Sequence, residues 1–132
     1  MNRADKIMET YSYDHWYLAG HSLGGAMAAV YADKNSEKLD GLIFLAAYST
    51  KDLSDTDLKV LSIYGSNDGV VNMDKVTEGR KLMPSVYEEF CIQGGNHAGY
   101  GDYGAQKGDG EADISAKEQQ EETAEKIVEF CE

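Results

Sequence analysis

The chain has 132 residues, 42% of them hydrophobic and 27% charged, which predicts a single globular domain over residues 1–132. Its net charge of −12 excludes nucleic acid as a partner, because nucleic-acid binding depends on Lys and Arg neutralising phosphates. The longest apolar run, residues 42–48, is far shorter than a membrane-spanning helix. The first 15 residues contain no apolar signal-peptide core, so we expect a cytoplasmic protein.

Apolar periodicity divides the chain into alternating helices and strands. Helical spacing predicts a short amphipathic helix over residues 2–11. Four apolar runs predict strands, at residues 16–19, 42–47, 60–64 and 86–92. Further helices are predicted after the first strand to about residue 33, from residue 72 to just before Pro84, and after the capping box at Ser115.

The closing helix is predicted to bury an apolar stripe formed by Ala124, Ile127, Val128 and Cys131. The alternation of strands and helices implies parallel strands with right-handed crossovers. The predicted fold is therefore a three-layer α/β/α sandwich with a mostly parallel sheet of about four strands. In such sheets the reactive groups collect in the loops beyond the carboxyl ends of the strands.

Between the first strand and its helix, Gly20-His21-Ser22-Leu23-Gly24 has the Gly-x-Ser-x-Gly pattern of a nucleophile elbow. We interpret Gly20 and Gly24 as positions where a Cβ would collide with the neighbouring strand and helix. Such a turn lifts the Ser22 hydroxyl above the sheet edge and leaves the Leu23 N–H free to bind an oxyanion. The alternative is a glycine-rich turn without chemistry, and the flanking strand and helix favour the elbow.

A nucleophilic serine needs a base, and the chain offers three histidines. His15 precedes the first strand and so lies at its wrong end. His21 adjoins Ser22, and we expect its side chain to point away from the serine. His97 follows the fourth strand at a carboxyl end, which makes it the predicted base, although a lone loop histidine is more often an exposed bystander.

The base in turn needs a carboxylate to orient it. Asp68 follows the third strand at a carboxyl end, and the alternative is a turn aspartate that bonds its own backbone. Asp52, Asp55 and Asp57 follow the second strand and have the character of solvated surface residues. The chain order Ser22, Asp68, His97 is that of nucleophile, acid and histidine in a hydrolase built on an α/β sheet.

These residues resemble the α/β-hydrolase superfamily, in particular its dienelactone-hydrolase-like and carboxylesterase-like members. The resemblance rests on residues 20–25, 64–71 and 94–98. It implies that Ser22 is the nucleophile, His97 the general base and then acid, Asp68 the orienting carboxylate, and the Leu23 N–H an oxyanion donor. Dienelactone hydrolases themselves use a cysteine nucleophile, so Ser22 favours plain ester hydrolysis.

The chain departs from the family in one respect. In the family the elbow follows the fifth of eight strands, and a loop after an earlier strand supplies the second oxyanion donor. Only one helix precedes the elbow here, so we interpret the chain as the C-terminal half of a larger hydrolase or a truncated relative. Lack of one donor costs about 100- to 1000-fold in turnover. Absence of the neighbouring strands also leaves the first strand, residues 16–19, on an apolar and unpaired edge, which a homodimer would cover.

Other motifs carry less weight. Residues 99–104 match the dinucleotide-binding pattern Gly-x-Gly-x-x-Gly, but they open no helix, so we do not predict a nucleotide site. We predict instead a loop whose Tyr100 and Tyr103 form apolar walls of the substrate site. Asp109, Glu111 and Asp113 alternate without the glycine and terminal glutamate of a calcium loop. The two cysteines, Cys91 and Cys131, have no metal-ligand spacing and are predicted to be free thiols. We therefore expect neither metal nor cofactor.

Two functions follow from the sequence. The first is a serine hydrolase acting on small carboxylic esters. The second is a catalytically silent hydrolase-like chain that serves as an interaction module. The intact serine, aspartate and histidine favour the first, whereas the short segment before the elbow favours the second.

Overall fold

A computed structural model describes residues 2–11, 13–101, 104 and 106–132, and only the main chain of Asn2 and Arg3. Its described helices and strands are, in chain order, α1 Asn2–Thr10, β1 Tyr17–His21, α2 Leu23–Lys34, β2 Gly41–Leu45, β3 Lys59–Gly65, α3 Met73–Gly79, β4 Val86–Ile92 and α4 Ala116–Cys131. Short 3-10 turns cover Ser36–Lys38, Arg80–Leu82 and Ala98–Tyr100. None of the helices within these ranges has the length and apolar character needed to cross a bilayer.

The four described strands form one sheet in the order β1-β2-β3-β4, and every neighbouring pair is parallel. Helices flank the sheet on both faces, so the predicted α/β/α sandwich is confirmed. Because all strands point the same way, the loops that follow them emerge at one edge of the sheet. The segments after β1, β3 and β4, which carry the candidate residues, therefore share that edge.

The core lies on both faces of the sheet because side chains alternate along each strand. Leu42, Phe44 and Val60 point to one face, where they pack with Ala28 and Ala32 of α2. The intervening residues point to the other face, where α4 covers them; the buried members of this cluster are Ile43, Leu61, Ile63, Ile92 and Phe130. Because β2 is buried on both faces, its sequence is one continuous apolar run.

The first strand ends later than predicted. It runs through His21 because the ladder with β2 continues to the pair His21–Leu45. Parallel pairing thus extends past the last apolar residue and into the glycine motif. In the described sheet β1 is an outer strand, in agreement with the predicted edge position, and the exposed Leu23 and Met27 follow it on α2.

The buried face of α4 matches the predicted stripe only in part: Ile127 and Cys131 pack against the core cluster. Ala124 and Val128 are exposed, whereas Gln119 and Thr123 are buried beside Phe130. The two polar side chains are buried because both are hydrogen-bonded, Gln119 to the loop at Asn96 and Thr123 to the Gln119 carbonyl. Apolar periodicity alone does not detect such positions. The predicted cap is present, since the Ser115 side chain accepts from the Glu118 N–H at 3.1 Å.

Phe44 provides a test of the core, since only 2% of its surface is exposed. We expect Phe44→Ala to lower the free energy of unfolding by about 3–5 kcal/mol, because it removes a large buried ring and leaves a cavity. Val128→Ala, at a position where 58% of the side chain is exposed, is the matched control and is expected to change it by less than about 0.5 kcal/mol. Urea unfolding followed by circular dichroism measures both; equal effects would contradict the described core.

Candidate active site

Ser22 lies in the tight turn between β1 and α2. Its backbone has φ 56° and ψ −123°, a left-handed conformation that a residue with a side chain rarely adopts. The turn is held because the Ser22 N–H donates to the Leu45 carbonyl at the end of β2 at 3.0 Å. Strain of this kind persists only where the surroundings impose it, and it is concentrated at functional sites.

The glycines around this turn have unequal roles. A Cβ on Gly20 would overlap the main chain of Gly24 and Gly25, and one on Gly25 would overlap the Ala47 side chain. A Cβ on Gly24, in contrast, would have no heavy atom within 4 Å. The prediction that crowding requires Gly24 is therefore wrong, because this residue faces outwards on the first turn of α2. Gly25 occupies the crowded position.

The three predicted residues meet in one hydrogen-bonded row. The Ser22 Oγ lies 3.0 Å from the His97 Nε2, and the His97 Nδ1 lies 2.8 Å from the Asp68 Oδ2. The side chains of His97 and Asp68 are both 1% exposed, so this pair is shielded from water. Because a carboxylate accepts hydrogen bonds, Nδ1 is the nitrogen that donates to Asp68; in a neutral imidazole this leaves Nε2 as the acceptor that faces the serine.

Asp68 uses its two carboxylate oxygens differently. Oδ2 faces His97, and Oδ1 accepts from the N–H groups of Val70 and Val71 at 2.8 Å each. Asp68 thus does both things that the sequence offered as alternatives: it bonds its own turn, and it contacts the histidine. The turn fixes the carboxylate plane and thereby aims the other oxygen at the imidazole.

The loop after β4 must fold back over the sheet to bring His97 to Ser22. It lies so close to the end of β3 that a Cβ on Gly65 would overlap Gly95. Gln119 of α4 fixes the same loop, since it accepts from the Asn96 N–H at 3.0 Å and donates to the Asn96 carbonyl at 2.8 Å. Gln119 is fully buried.

His21 lies against His97, a role that the sequence interpretation did not anticipate. Its Nε2–H donates to the His97 carbonyl at 2.8 Å, and the two rings are 4.7 Å apart. Burial lowers the pKa of His21 below its ordinary value of 6.5, and the neighbouring His97 lowers it further, against the opposing effect of the hydrogen bond. The sequence predicts that the His21 side chain points away from Ser22; the ring contacts His97 and Tyr100 and is not part of the lining of the cleft beside Ser22.

The predicted substrate walls are not supported by the position of Tyr100. This ring lies 5.4 Å from the ring of His21 and packs in the core cluster beneath α4, outside the cleft at Ser22. The short 3-10 turn after His97 directs it inwards, which corrects the prediction. Tyr103 lies outside the described residues. His15 lies at the opposite end of β1, as predicted, beside Asp40.

A cleft of about 260 Å³ opens beside Ser22. Apolar and small side chains form most of it: Leu23, Ala26, Ala46, Ala47, Val70 and Val71. Tyr48, Asn72 and His97 complete its rim, and the described lining includes no Asp, Glu, Lys or Arg. No group of three or more metal-ligating side chains is found in the described part of the chain. The arrangement is thus a serine, an imidazole and a carboxylate opening onto an uncharged, largely apolar cleft.

The sheet and this row of side chains define a protein with the architecture of an α/β hydrolase. The model of the alpha/beta hydrolase family matches residues 1–121. The chain belongs to this family. A search of curated proteins finds no significant match.

Solved structures share the fold at low sequence identity. A proposed dienelactone hydrolase from Klebsiella pneumoniae matches 97% of this chain with a TM-score of 0.71 and 19% identity. A carboxylesterase structure from Nitrososphaera gargenis matches 98% with a TM-score of 0.69 and 15% identity, over 69% of its own length. A monoacylglycerol lipase from Paleococcus ferrophilus matches 98% with a TM-score of 0.67 and 15% identity, over 72% of its own length.

The chain is shorter than the hydrolases it matches. It spans 56% of the Klebsiella structure and 56% of a CIB-like hydrolase from Thermoplasma acidophilum.

The unequal glycines give a direct test of the elbow. We expect Gly20→Ala to lower the free energy of unfolding by about 1–3 kcal/mol, since its methyl group would overlap main-chain atoms that cannot yield easily. Gly24→Ala is the matched control: it adds a methyl group in open space and favours the helix by up to about 1 kcal/mol. Urea unfolding of both variants measures the difference. A Gly24→Ala variant as unstable as Gly20→Ala would contradict the described packing.

We expect His21 to contribute to the pH dependence of the free energy of unfolding. Because its pKa in the folded state is lowered below 6.5, the unfolded chain binds the proton more readily, so this contribution is complete above about pH 6.5 and is lost as the pH falls below it. We expect His21→Gln, which keeps an N–H donor but does not titrate, to lose less stability than the wild type between about pH 7.5 and 5.5. Urea midpoints at both pH values measure this.

The exposed His15 supplies the control for that experiment. His15→Gln removes a histidine whose side chain is 76% exposed, and it should retain the pH dependence of the wild type. If His21→Gln and His15→Gln behave alike, burial of the His21 ring does not govern the pH dependence.

Proposed function

We propose that this chain is a serine hydrolase that cleaves carboxylic esters through an acyl-enzyme on Ser22. The single observation that carries the proposal is the continuous row from the Ser22 Oγ through the His97 imidazole to the Asp68 carboxylate, with distances of 3.0 and 2.8 Å. A hydroxyl, a base and an orienting carboxylate in this geometry are the parts that acyl transfer requires.

In the first half of the reaction, the Ser22 Oγ attacks the carbonyl carbon of the ester while His97 Nε2 takes the hydroxyl proton. The carbonyl oxygen becomes an oxyanion. When the tetrahedral intermediate collapses, the bond from carbon to the alcohol oxygen breaks, and the imidazolium gives its proton to the leaving alkoxide. The Asp68 carboxylate stabilises the imidazolium that forms in between.

The oxyanion requires donors that are already in place. The Leu23 N–H belongs to the first residue of α2, where backbone N–H groups have no partner within the helix and the helix dipole favours negative charge. We assign this N–H as one oxyanion donor, since it directly follows the nucleophile. Such a donor is worth about 100- to 1000-fold in turnover.

In the second half, water attacks the acyl-enzyme and its proton passes to His97 Nε2. Collapse of the second intermediate breaks the bond between the acyl carbon and the Ser22 Oγ, which regains the proton from the imidazolium. The products are a carboxylic acid and the free serine. The same two residues therefore serve both halves, with His97 alternating between base and acid.

The cleft supports an uncharged substrate. Its lining of small aliphatic side chains favours apolar acyl or alcohol groups, since a charged group would lose its hydration there without a described ionic partner. Among the structures that share the fold, one is named a carboxylesterase and another a monoacylglycerol lipase, which agrees with ester chemistry. Ser22, in the position of the nucleophile, agrees with it as well.

Labelling by a fluorophosphonate tests the nucleophile, because the probe reacts with an activated serine. We expect the wild-type protein to be labelled and to hydrolyse p-nitrophenyl esters, with the rate depending on acyl length. Ser22→Ala should abolish labelling and reduce hydrolysis at least about 1000-fold. Ser54→Ala, which removes an exposed hydroxyl outside the cleft, is the matched control and should leave both unchanged.

The outcomes separate the two functions considered for this chain. Labelling of Ser22 without hydrolysis of any ester in the series would support an activated serine but contradict carboxylic esters as the substrate class. Folded wild-type protein that is neither labelled nor active would contradict the hydrolase proposal and favour a catalytically silent interaction module.

A further inference from the structure

One carboxylate outside the row contacts both loops that carry it. The Asp109 Oδ1 accepts from the N–H groups of Gly69 and His97 at 3.1 Å each, and from Gly110 at 2.9 Å. Its Oδ2 accepts from the Ala98 N–H at 3.0 Å. A single side chain therefore receives four backbone hydrogen bonds.

These donors belong to the two functional loops. Gly69 directly follows Asp68 in the turn after β3, while His97 and Ala98 lie in the loop after β4. Asp109 thus joins the main chain next to Asp68 to the main chain at His97. The two loops are therefore joined twice: by the hydrogen bond between the His97 and Asp68 side chains, and by the hydrogen bonds of Asp109 to their main chains.

The segment around Asp109 is packed too closely to move freely. A Cβ on Gly69 would lie 2.5 Å from the Gly108 carbonyl oxygen, and one on Gly110 would overlap the Asn67 carbonyl. The side chains of two asparagines add hydrogen bonds to this segment, Asn96 to the Gly110 carbonyl and Asn67 to the Glu111 carbonyl, both at 3.0 Å. Asp109 therefore has a fixed position against both loops.

The carboxylate is also held in its charged form. Burial opposes ionisation of Asp109, but its four hydrogen bonds from backbone N–H groups outweigh burial and lower its pKa. Hydrogen bonds to an ionised acceptor are about twice as strong as those between neutral groups. The contact between the loops is thus made by strong bonds.

We propose that Asp109 is a positioning residue of the site: its carboxylate locks the Asp68 turn to the His97 loop and so holds the imidazole in the one tautomer that can accept the serine proton. This role rests on the proposed function, because tautomer and orientation matter catalytically only if His97 is the base. Loss of the link would let the imidazole turn away from Asp68, which leaves the nucleophile without an oriented base.

Nitrogen NMR of ¹⁵N-histidine-labelled protein tests the link without reference to activity. At about pH 8, where free imidazole is neutral, we expect His97 of the wild type to show a single tautomer with the proton on Nδ1. In Asp109→Ala we expect its two nitrogen shifts to average towards each other. Asp109→Asn keeps one acceptor oxygen and should give an intermediate degree of averaging.

Two controls separate this role from loss of charge and loss of stability. Glu111→Gln removes one negative charge two residues away, at an exposed side chain. Tyr31→Phe removes the hydrogen bond from α2 to Asp5 of α1, away from the site. Both variants should retain the single His97 tautomer. If Asp109→Ala does not fold, Asp109→Asn provides the same comparison.

Kinetics with a p-nitrophenyl ester supply the second readout. We expect Asp109→Ala to lower kcat about 100-fold with KM within about threefold of the wild type, as for a misplaced catalytic group, and Asp109→Asn to recover part of the loss. A His97 tautomer that stays unchanged in both variants, or a loss of kcat that Tyr31→Phe reproduces, would overturn the inference. A wild type without esterase activity would contradict the proposed function alone, since the NMR comparison would still decide whether Asp109 holds His97.

Discussion

The close packing of α2 against the end of β1 is the constraint on which the site depends. Gly20 and Gly25 bring the two main chains together with no space for a side chain, so the intervening turn must reverse within Ser22. The serine accepts a backbone conformation with φ 56° as a result, and its N–H is tied to the end of β2. The folding energy of the sheet and helix thus sustains the backbone strain at Ser22.

His97 and Asp68 are fixed by a different means. Both lie in loops, and loops lack the regular hydrogen bonds that hold a strand or helix in place. Here polar side chains substitute for that regularity: Gln119 bonds the main chain at Asn96, Asp109 bonds both loops, and Asp68 bonds the turn that follows it. Because these groups are satisfied by specific partners, they specify one arrangement of the loops.

The features that follow from periodicity and topology could be predicted from the sequence. Apolar runs locate the strands, parallel order brings the loops after β1, β3 and β4 to one edge, and residue chemistry selects Ser22, Asp68 and His97 within those loops. The structure places these three side chains in contact, and their part in catalysis is the proposal made above. The four strands and their parallel direction needed no information beyond local pattern and pairing rules, whereas β1 runs two residues past its predicted end.

The remaining features depend on tertiary geometry that no local pattern contains. Whether Gly24 or Gly25 faces the strand is decided by the rotation of α2 about its axis. The side of the loop on which Tyr100 packs depends on how the 3-10 turn after His97 meets α4. Gln119 is buried because a loop distant in sequence supplies its hydrogen bonds, whereas hydrophobicity ranks Ala124 and Val128 above it.

The sheet order places the serine and the histidine after its two outermost strands, β1 and β4. Three strand spacings separate these borders, a distance of about 14 Å. The contact between Ser22 and His97 therefore joins loops that follow the two outer strands of the described sheet. Local unfolding of β1 or β4 would break this contact even while the central strands β2 and β3 stay paired. Under the proposed function, labelling of Ser22 would therefore report on the integrity of β1 and β4, the strands at the two borders of the described sheet.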